Sequence, residues 1–406
     1  MKRGAKLCTI LVLALLFLAA CGEKKSPWQV DYDFFWDTVE ENYPYAAAIE
    51  RINGKSLADV REKYAPYADR AQSAQELYRV LEGCMMEFPE LTGHFSILDN
   101  GMYQLYMDII ARSPGWAKYD FMKKSLDTPQ SRNFYGYQEW KSTGNAEKNQ
   151  ENKVYGNVEI EYLPCDEVSG TVGYVKIYSM LGDWQDGDAD LWADLWARMN
   201  KLGVEDCIID IRGNGGGSDT YWTHNIVVPN LVGEVKNNHI ALVRGKESVA
   251  YLEQAIDEKL PSIKELDVSK YPALNGDDLS LATHYAQMGF QMSRNNTERA
   301  FGGRFWLLVD GNVYSSSEAF AVFCKDTGFA TLVGTPTGGD GIGIEPLAMA
   351  LPNSGIAFRF STLLGLNSDG SCNEEFGTTP DILCKPGEDA LELCLNIIKE
   401  QGGETR

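Results

Sequence analysis

The chain has 406 residues, of which 44% are hydrophobic and 23% charged, a balance that provides enough apolar side chains for a sizeable core. Asp and Glu number 58 against 37 Lys and Arg, which gives a formal net charge of −21 at pH 7. This composition excludes a disordered, collagen-like or polytopic membrane chain. An acidic chain without a basic stripe repels phosphate backbones, so nucleic acid is not expected among its partners.

The first twenty residues have the pattern of a secretory signal peptide. A basic stub, MKRGAK, precedes the apolar run LCTILVLALLFLAA at 7–20, which is too short for a membrane span of ~20 residues. The run ends in an LAAC sequence at Cys21 that resembles a bacterial lipobox, in which the cysteine is lipidated and becomes the new N-terminus. We expect residues 1–20 to be removed, residues 21–27 to form a lipidated tether, and the protein to be anchored in the cell membrane at its extracytoplasmic face. An ordinary signal peptide with an incidental cysteine is the alternative.

Cysteine and histidine usage gives no sign of a metal or a disulfide scaffold. Seven cysteines follow Cys21, an odd number without C-x-x-C spacing, so a disulfide framework is not expected, although a single bridge stays open. The chain contains neither an H-E-x-x-H motif nor a His/Cys cluster with ligand spacing. We therefore predict no cofactor and no metal.

The remaining chain divides into three parts that differ in the spacing of their apolar and polar residues. Apolar residues recur at helical spacing after residue 28, which predicts an N-terminal helical domain over 28–112. Residues 113–169 are polar and patternless, which predicts a loop-rich connector or small subdomain. From 170 to 406 strand and helix patterns alternate, which predicts an α/β core with sites where strands end and helices begin. Residues 220–300 within it read as a mixed insertion without an assigned role.

Four buried strands and two helices stand out in the α/β region. The helices are LWADLWARMNKLG (191–203) and SEAFAVFCKDTG (317–328). The strands are GTVGYVKIY (170–178), DCIIDIR (206–212), RFWLLVD (304–310) and ATLVG (330–334).

Ser315 is the first candidate for chemistry, because it stands between a buried strand and an apolar helix. A hydroxyl at a helix N-terminus lies beside free N–H groups and the positive end of the helix dipole, which favour developing negative charge. Ser315-x-x-Glu318 is also a capping box, so a purely structural cap is the alternative.

A second candidate is the glycine-rich segment DIRGNGGG at 210–217, which ends another buried strand. Three consecutive glycines let backbone N–H groups approach a ligand without interference from Cβ atoms. A flexible turn is the alternative, but Asp-x-Arg-x-Asn directly before the glycines favours a site.

These segments together resemble the C-terminal processing and tricorn-type serine peptidases. The matching motifs occur in the family's order: GYVKI (173–177), DIRGNGGG (210–217), SSSEAF (315–320), ATLVGTPTGG (330–339) and GTTPDI (377–382). The resemblance implies a core built as a spiral of ββα units, like that of the ClpP and crotonase folds, beneath an N-terminal helical cap. It also implies Ser315 as nucleophile, with an oxyanion hole made by the N–H of Ser316 and that of Gly215 or Gly216.

The position of the base separates two branches of that family. Ser–Lys members carry lysine twenty-five residues beyond the serine, where this chain has Asp340, and a carboxylate cannot replace a neutral amine base. The tricorn-like branch instead uses a histidine from the N-terminal region and a distant glutamate.

Both residues have counterparts in this sequence. His94, in LTGHFSIL, resembles the family pattern L-x-D-G-H-x-x-L with Thr92 in place of the aspartate. Glu374 lies three residues before Gly377 in an E-x-x-G-x-x-P-D pattern, and Glu375 is the neighbouring alternative. A neutral imidazole can accept a serine proton near neutral pH, and a carboxylate can orient it.

The sequence as a whole thus predicts an extracytoplasmic, membrane-anchored serine endopeptidase that hydrolyses polypeptides with Ser315, His94 and Glu374. A peptide-binding pseudo-peptidase without turnover is one alternative, supported by the departure at Thr92. A solute-binding lipoprotein of a transporter is the other, and the ordered peptidase motifs count against it.

Overall fold

The computed structural model describes residues 25–89, 93–137, 157–166, 170–181, 189–294 and 298–404. The predicted signal peptide, Cys21 and Thr92 lie outside these residues.

The N-terminal part is helical, as the sequence predicts. Serine side chains cap three of its first four helices, because Ser26, Ser56 and Ser73 each accept a backbone N–H from the first turn. These helices are α1 (Pro27–Asn42), α2 (Ala46–Asn53), α3 (Leu57–Arg70) and α4 (Ala74–Met85). The short strand β1 (Ser96–Ile97) follows, and then α5 (Asn100–Arg112).

Regular secondary structure occurs in the described part of 113–169, the segment predicted as a loop-rich connector or small subdomain. Residues 117–135 form α6 (Ala117–Leu126) and α7 (Pro129–Tyr135), and residues 158–166 form strand β2 (Val158–Asp166). Helix α6 packs on the body of the protein, where the Met122 sulfur accepts the N–H of Ala348.

A six-stranded sheet forms the centre of the α/β core. Its strand order is β14-β10-β9-β4-β3-β2, with β2 antiparallel at one edge and the other five strands parallel. The four predicted strands are β3, β4, β9 and β10, and the two predicted helices are α8 and α12. The bounds are β3 (Gly170–Ile177), α8 (Ala189–Lys201), β4 (Asp206–Asp210), β9 (Arg304–Val309), α12 (Ser316–Thr327), β10 (Thr331–Gly334), β14 (Ile382–Leu383) and α14 (Ala390–Glu404).

Three smaller sheets accompany the central one, and the sheet that contains β1 joins the N-terminal part to the second half of the chain. One has the order β1-β12-β11, another β13-β6-β7, and a third pairs β5 with β8. The segment 220–300, left unassigned by the sequence, supplies four of these strands and several helices. The bounds are α9 (Asp219–Trp222), β5 (Gly233–Lys236), β6 (His239–Val243), α10 (Lys246–Ile256), α11 (Gly276–Leu281), β7 (His284–Met288), β8 (Gln291–Arg294), β11 (Leu347–Ala350), β12 (Ala357–Phe360), β13 (Leu364–Leu366) and the short helix α13 (Asn373–Phe376).

The buried apolar residues form separate clusters whose limits differ from the predicted domain limits. One cluster combines residues of 32–137 with residues of 240–372, so the N-terminal helices share a core with strands from the second half of the chain. Two others lie on either side of the six-stranded sheet. Ser315 belongs to the sheet unit and His94 to the helical unit, so the site lies where the two meet.

Among the described residues, no helix is long and apolar enough to cross a membrane. Six cysteines among them are buried free thiols: Cys84, Cys207, Cys324, Cys372, Cys384 and Cys394.

Candidate active site

Ser315 lies in a strained turn between β9 and α12. Its backbone has φ 56° and ψ −123°, a conformation that L-residues rarely adopt, and its N–H donates to the carbonyl of Gly339 at 3.1 Å. The side chain makes no capping hydrogen bond to the helix. The structural-cap alternative for Ser315 is therefore wrong, and the hydroxyl is available for other chemistry.

His94 lies against that hydroxyl, although 221 residues separate them in the chain. Its Nε2 is 3.2 Å from Ser315 Oγ. The loop that carries the histidine is held on the core because β1 pairs with β12 and the Gly93 carbonyl accepts the N–H of Ser361 at 2.7 Å. His94 also has a positive φ of 55°.

The surroundings of His94 favour the neutral imidazole. Burial and the nearby Arg359 guanidinium both disfavour a second positive charge, and together they lower the pKa of His94 to about 3. The edge of its ring meets the face of Tyr314, with centroids 5.2 Å apart and planes at 64°. A neutral imidazole beside a serine hydroxyl is the form that a general base requires.

Glu374 supports the histidine loop from the other side. This carboxylate, 7% exposed, accepts the Gly93 N–H at 2.9 Å and faces the Tyr314 hydroxyl at 3.1 Å. Glu375 instead pairs with Arg51 at 2.7 Å. Of the two glutamates left open by the sequence, Glu374 is the one that contacts the histidine loop.

The glycine-rich turn lies directly against the serine. A Cβ at Gly216 would come within 2.9 Å of both Ser315 Cβ and the Ser316 nitrogen. The Gly216 N–H is already donated to Asn214 Oδ1 at 3.0 Å. Among the described residues, the N–H groups of Gly215 and Ser316 have no acceptor. Of the expected donors, Gly215 and Ser316 are thus free to bind an oxyanion, whereas the Gly216 N–H is engaged.

Asp340 is a site residue whose part the sequence did not predict. Its Oδ2 is 3.2 Å from His94 Nε2, and its side chain is only 4% exposed. The sequence showed only that lysine is absent at this position, which gave no reason to expect a contact with the histidine.

Two tyrosines complete the surroundings of this carboxylate and were also missed. The Tyr45 hydroxyl is 3.3 Å from Asp340 Oδ1, and the Tyr314 hydroxyl is 3.4 Å from Asp340 Oδ2. Burial and the neighbouring carboxylates raise the pKa of both tyrosines, so both are protonated hydrogen-bond donors. A buried tyrosine carries no sequence signal that separates this role from ordinary packing.

Together these groups form an arrangement suited to acyl transfer. A hydroxyl nucleophile, a neutral imidazole acceptor and free backbone donors lie at the carboxyl ends of the central parallel strands β4 and β9. No cluster of three or more His, Cys, Asp or Glu residues able to hold a metal occurs among the described residues.

The fold and the site define the class of a serine-type peptidase, and the comparisons with known proteins agree. Residues 171–384, more than half of the chain, match peptidase family S41, and residues 25–85 match the tricorn protease C1 domain. The chain belongs to peptidase family S41. No curated protein matches the sequence.

Solved structures share this fold at low sequence identity. A candidate peptidase from Parabacteroides merdae is 18% identical with a TM-score of 0.53, and the alignment covers 92% of this chain and 97% of that one. Mature CPAF in complex with lactacystin is 13% identical with a TM-score of 0.53, at 93% and 97% coverage. These likenesses confirm the α/β peptidase fold with an N-terminal helical region.

Proposed function

We propose that this chain is a membrane-anchored, extracytoplasmic serine endopeptidase in which Ser315 is the nucleophile, His94 the general base and Glu374 the carboxylate that supports the base. The observation that carries the proposal is the 3.2 Å approach of His94 Nε2 to Ser315 Oγ. Polypeptides are the proposed substrates.

The proposed mechanism follows from these positions. Ser315 Oγ attacks the scissile carbonyl carbon while its proton passes to His94 Nε2. The N–H groups of Ser316 and Gly215 bind the resulting oxyanion. The imidazolium then gives its proton to the leaving amine, and water hydrolyses the acyl-serine by the same route in reverse. Glu374 acts through the Gly93 N–H and the Tyr314 hydroxyl, which fix the position of the histidine loop.

Substitution of the nucleophile and of the base tests this assignment. Ser315→Ala should abolish both peptide hydrolysis and labelling by a fluorophosphonate, and His94→Ala should lower turnover at least ~100-fold. Ser317→Ala is the matched control, because it removes a hydroxyl two residues away that has no hydrogen-bond partner among the described residues. If Ser315→Ala retained parental hydrolysis, the proposal would be wrong.

The choice of histidine needs its own control. His224→Ala removes an exposed imidazole and should leave the rate unchanged. His239 is unsuitable for this purpose, because it is buried and bonded to Asp326 at 2.6 Å, at the end of the nucleophile's helix.

The lipid anchor is a separate part of the proposal and rests on the LAAC sequence at Cys21. Cys21→Ser should move the protein from the membrane fraction to the soluble fraction or leave the precursor unprocessed. Metabolic labelling with a radioactive fatty acid measures the modification directly. A Cys21→Ser protein that still incorporated the label would refute the anchor and leave the peptidase assignment intact.

A further inference from the structure

Asp340 has a fixed position beside the proposed catalytic pair. It lies in a tight turn with φ 57°, and the carbonyl of the preceding Gly339 accepts the Ser315 N–H at 3.1 Å. The following Gly341 donates its N–H to Asn373 Oδ1 at 2.9 Å and packs against the first turn of α12. The backbone on both sides of Asp340 is therefore tied to the elements that carry Ser315 and Glu374.

The Asp340 carboxylate is surrounded by hydroxyl donors and one imidazole. Ser361 Oγ donates to Oδ2 at 3.1 Å, and the hydroxyls of Tyr45 and Tyr314 approach at 3.3 and 3.4 Å. Among the described residues, no lysine or arginine forms an ion pair with it, and His94 is its one basic neighbour within 4 Å.

Asp340 and Ser315 compete for the same atom. Both lie 3.2 Å from His94 Nε2, and a neutral imidazole carries one proton on one of its two nitrogens. An ionised carboxylate only accepts, so it requires the proton on Nε2. In that tautomer Nε2 has no lone pair with which to accept the Ser315 proton. A protonated Asp340 does not require that proton on Nε2. When its own O–H donates to a neighbouring hydroxyl oxygen such as Ser361 Oγ, 3.1 Å away, Nε2 keeps its lone pair for the Ser315 proton.

We infer that Asp340 is a positioning residue that sets the tautomer of His94: its ionised form retains the proton on Nε2 and leaves Ser315 without a base, and its protonated form releases Nε2 to the serine. This inference rests on the proposed function, in which His94 is the base.

The charged and titratable groups around Asp340 place this change near neutral pH. Burial raises the pKa of Asp340 to about 7, against the opposing effects of Ser361, Tyr45, Tyr314 and Arg359. The other groups that face it are His94, Tyr43 and, across the Tyr314 hydroxyl, Glu374. The active, protonated form is present below this pKa and is lost as the pH rises through it. Activity should therefore be greatest in mildly acidic solution.

The pH dependence of Asp340→Asn tests the inference with an uncharged peptide substrate. The parent should lose at least about tenfold in kcat/KM between pH 6.5 and 8.5, because one proton must be bound for activity. An amide cannot ionise, so Asp340→Asn should change less than about twofold over that range. An Asp340→Asn enzyme that kept the parental loss at high pH, or that was folded but inactive at every pH, would overturn the inference.

Ser361→Ala gives an independent test that leaves the carboxylate in place. Removal of a donor that stabilises the ionised form should raise the pKa of Asp340 and move the high-pH loss upward by about half a pH unit or more. A shift to lower pH, or no shift, would contradict the inference.

The tautomer can also be observed directly, because the chain contains only four histidines. Nitrogen-15 NMR of labelled parent protein should show His94 protonated on Nε2 above pH 8 and on Nδ1 at pH 6, and Asp340→Asn should abolish the change. The Ser315→Ala variant distinguishes a failure of the proposed peptidase function from a failure of the role inferred for Asp340. If Ser315→Ala remains active, the proposed function fails, whereas an inactive Ser315→Ala beside an unaltered Asp340→Asn profile refutes only the role of Asp340.

Discussion

Backbone strain is concentrated at single residues of the site. Four non-glycine residues have positive φ in the described part of the chain, and three of them are His94, Ser315 and Asp340. Such conformations cost of order 1–3 kcal/mol each and persist where surrounding contacts fix them. Here those contacts include the Ser315 N–H to Gly339 and the Ser361 N–H to Gly93. The strain is consistent with a site whose geometry matters more than its local stability.

Gly216 is the residue whose lack of a side chain the site needs most directly. Its φ is +102°, and a Cβ there would lie 2.7 Å from the Tyr314 carbonyl oxygen. Gly216→Ala should displace Ser315 by a few tenths of an ångström or more and lower kcat/KM at least ~100-fold, because small misplacements of a nucleophile are costly. Gly302→Ala is the control, since a Cβ at Gly302 meets nothing within 4 Å. Equal rates for the two variants would contradict this account of the turn.

Arg359 provides a test of the electrostatics of His94. Its positive charge lowers the pKa of His94, so Arg359→Gln should raise that pKa and move the loss of activity at low pH upward by about half a pH unit. Neutral His94 is the active form, so activity is lost as the pH falls through its pKa. Arg79→Gln, which removes an exposed arginine, should leave the acid side of the pH–rate profile unchanged. A shift in the opposite direction would contradict the assigned cause.

At the level of single residues, the sequence predicted the site residues that lie in recognisable motifs and missed those that do not. Ser315 and His94 occur in recognisable motifs, and the structure brings them within 3.2 Å. Tyr45 reaches Asp340 across 295 residues, and neither residue has neighbours in the sequence that indicate the contact. The charged and polar groups that surround the base therefore could not be predicted from the sequence.

Among the elements, helix α12 links the nucleophile to the other parts of the site. The capping box that was the alternative for Ser315 and Glu318 does not form, and the Glu318 side chain is instead buried among groups from another segment. Glu318 Oε1 accepts the Thr378 hydroxyl at 2.6 Å and the Asn373 amide at 2.9 Å. The oxygen of that same Asn373 amide holds the Gly341 N–H, so one carboxyl connects α12, α13 and the Asp340 turn.

Substitutions of Glu318 should show whether its hydrogen bonds or its charge contribute to the stability of the protein. Burial raises the pKa of this carboxyl, so a neutral isostere is compatible with the site. Glu318→Gln should cost about 1 kcal/mol or less, and Glu318→Ala about 2–4 kcal/mol, since it leaves Thr378 and Asn373 unsatisfied and opens a cavity. Denaturant unfolding measures both. Lys325→Ala on the same helix should cost less than about 1 kcal/mol, because its ion pair is partly exposed. Equal costs for Gln and Ala would contradict the hydrogen-bonding explanation.

Four strands of the α/β core, β3, β4, β9 and β10, were predictable because each is a short, largely apolar run bounded by turn residues. Strand β4, for example, is buried at every position. Helix α6 was missed although Tyr119, Met122 and Leu126 are buried at helical spacing. Three apolar positions among lysines give only a weak helical pattern, and a long polar run follows them in the sequence. This helix is stabilised by packing against β11, which sequence periodicity does not reveal.

On the scale of the whole molecule, the helical part shares one buried cluster with strands β6, β7, β11, β12 and β13. Asp31 on α1 accepts the N–H groups of Asn353 and Ser354, in the turn between β11 and β12. Arg51 on α2 pairs with Asp278 and Glu375. The predicted domain limits at 112 and 169 remain predictions, and this cluster extends across both. Contacts between residues hundreds of positions apart leave no local pattern, so the sequence suggested an N-terminal helical domain that ends at residue 112.

The shared cluster predicts that the two parts unfold together. Phe35 of α1 packs against Phe95, the residue after His94, at 5.9 Å, and against Phe358 of β12 at 5.0 Å between ring centroids. In the parent, loss of peptidase activity and loss of helical circular dichroism should coincide in one denaturant transition. Phe35→Ala should move both midpoints together by an amount equivalent to about 3–5 kcal/mol, because it empties a site at their junction. Tyr67→Ala, at a side chain that is 55% exposed, should shift neither by more than about 1 kcal/mol. Two separate transitions in the parent, with Phe35→Ala affecting only the helical signal, would instead favour an independent helical cap.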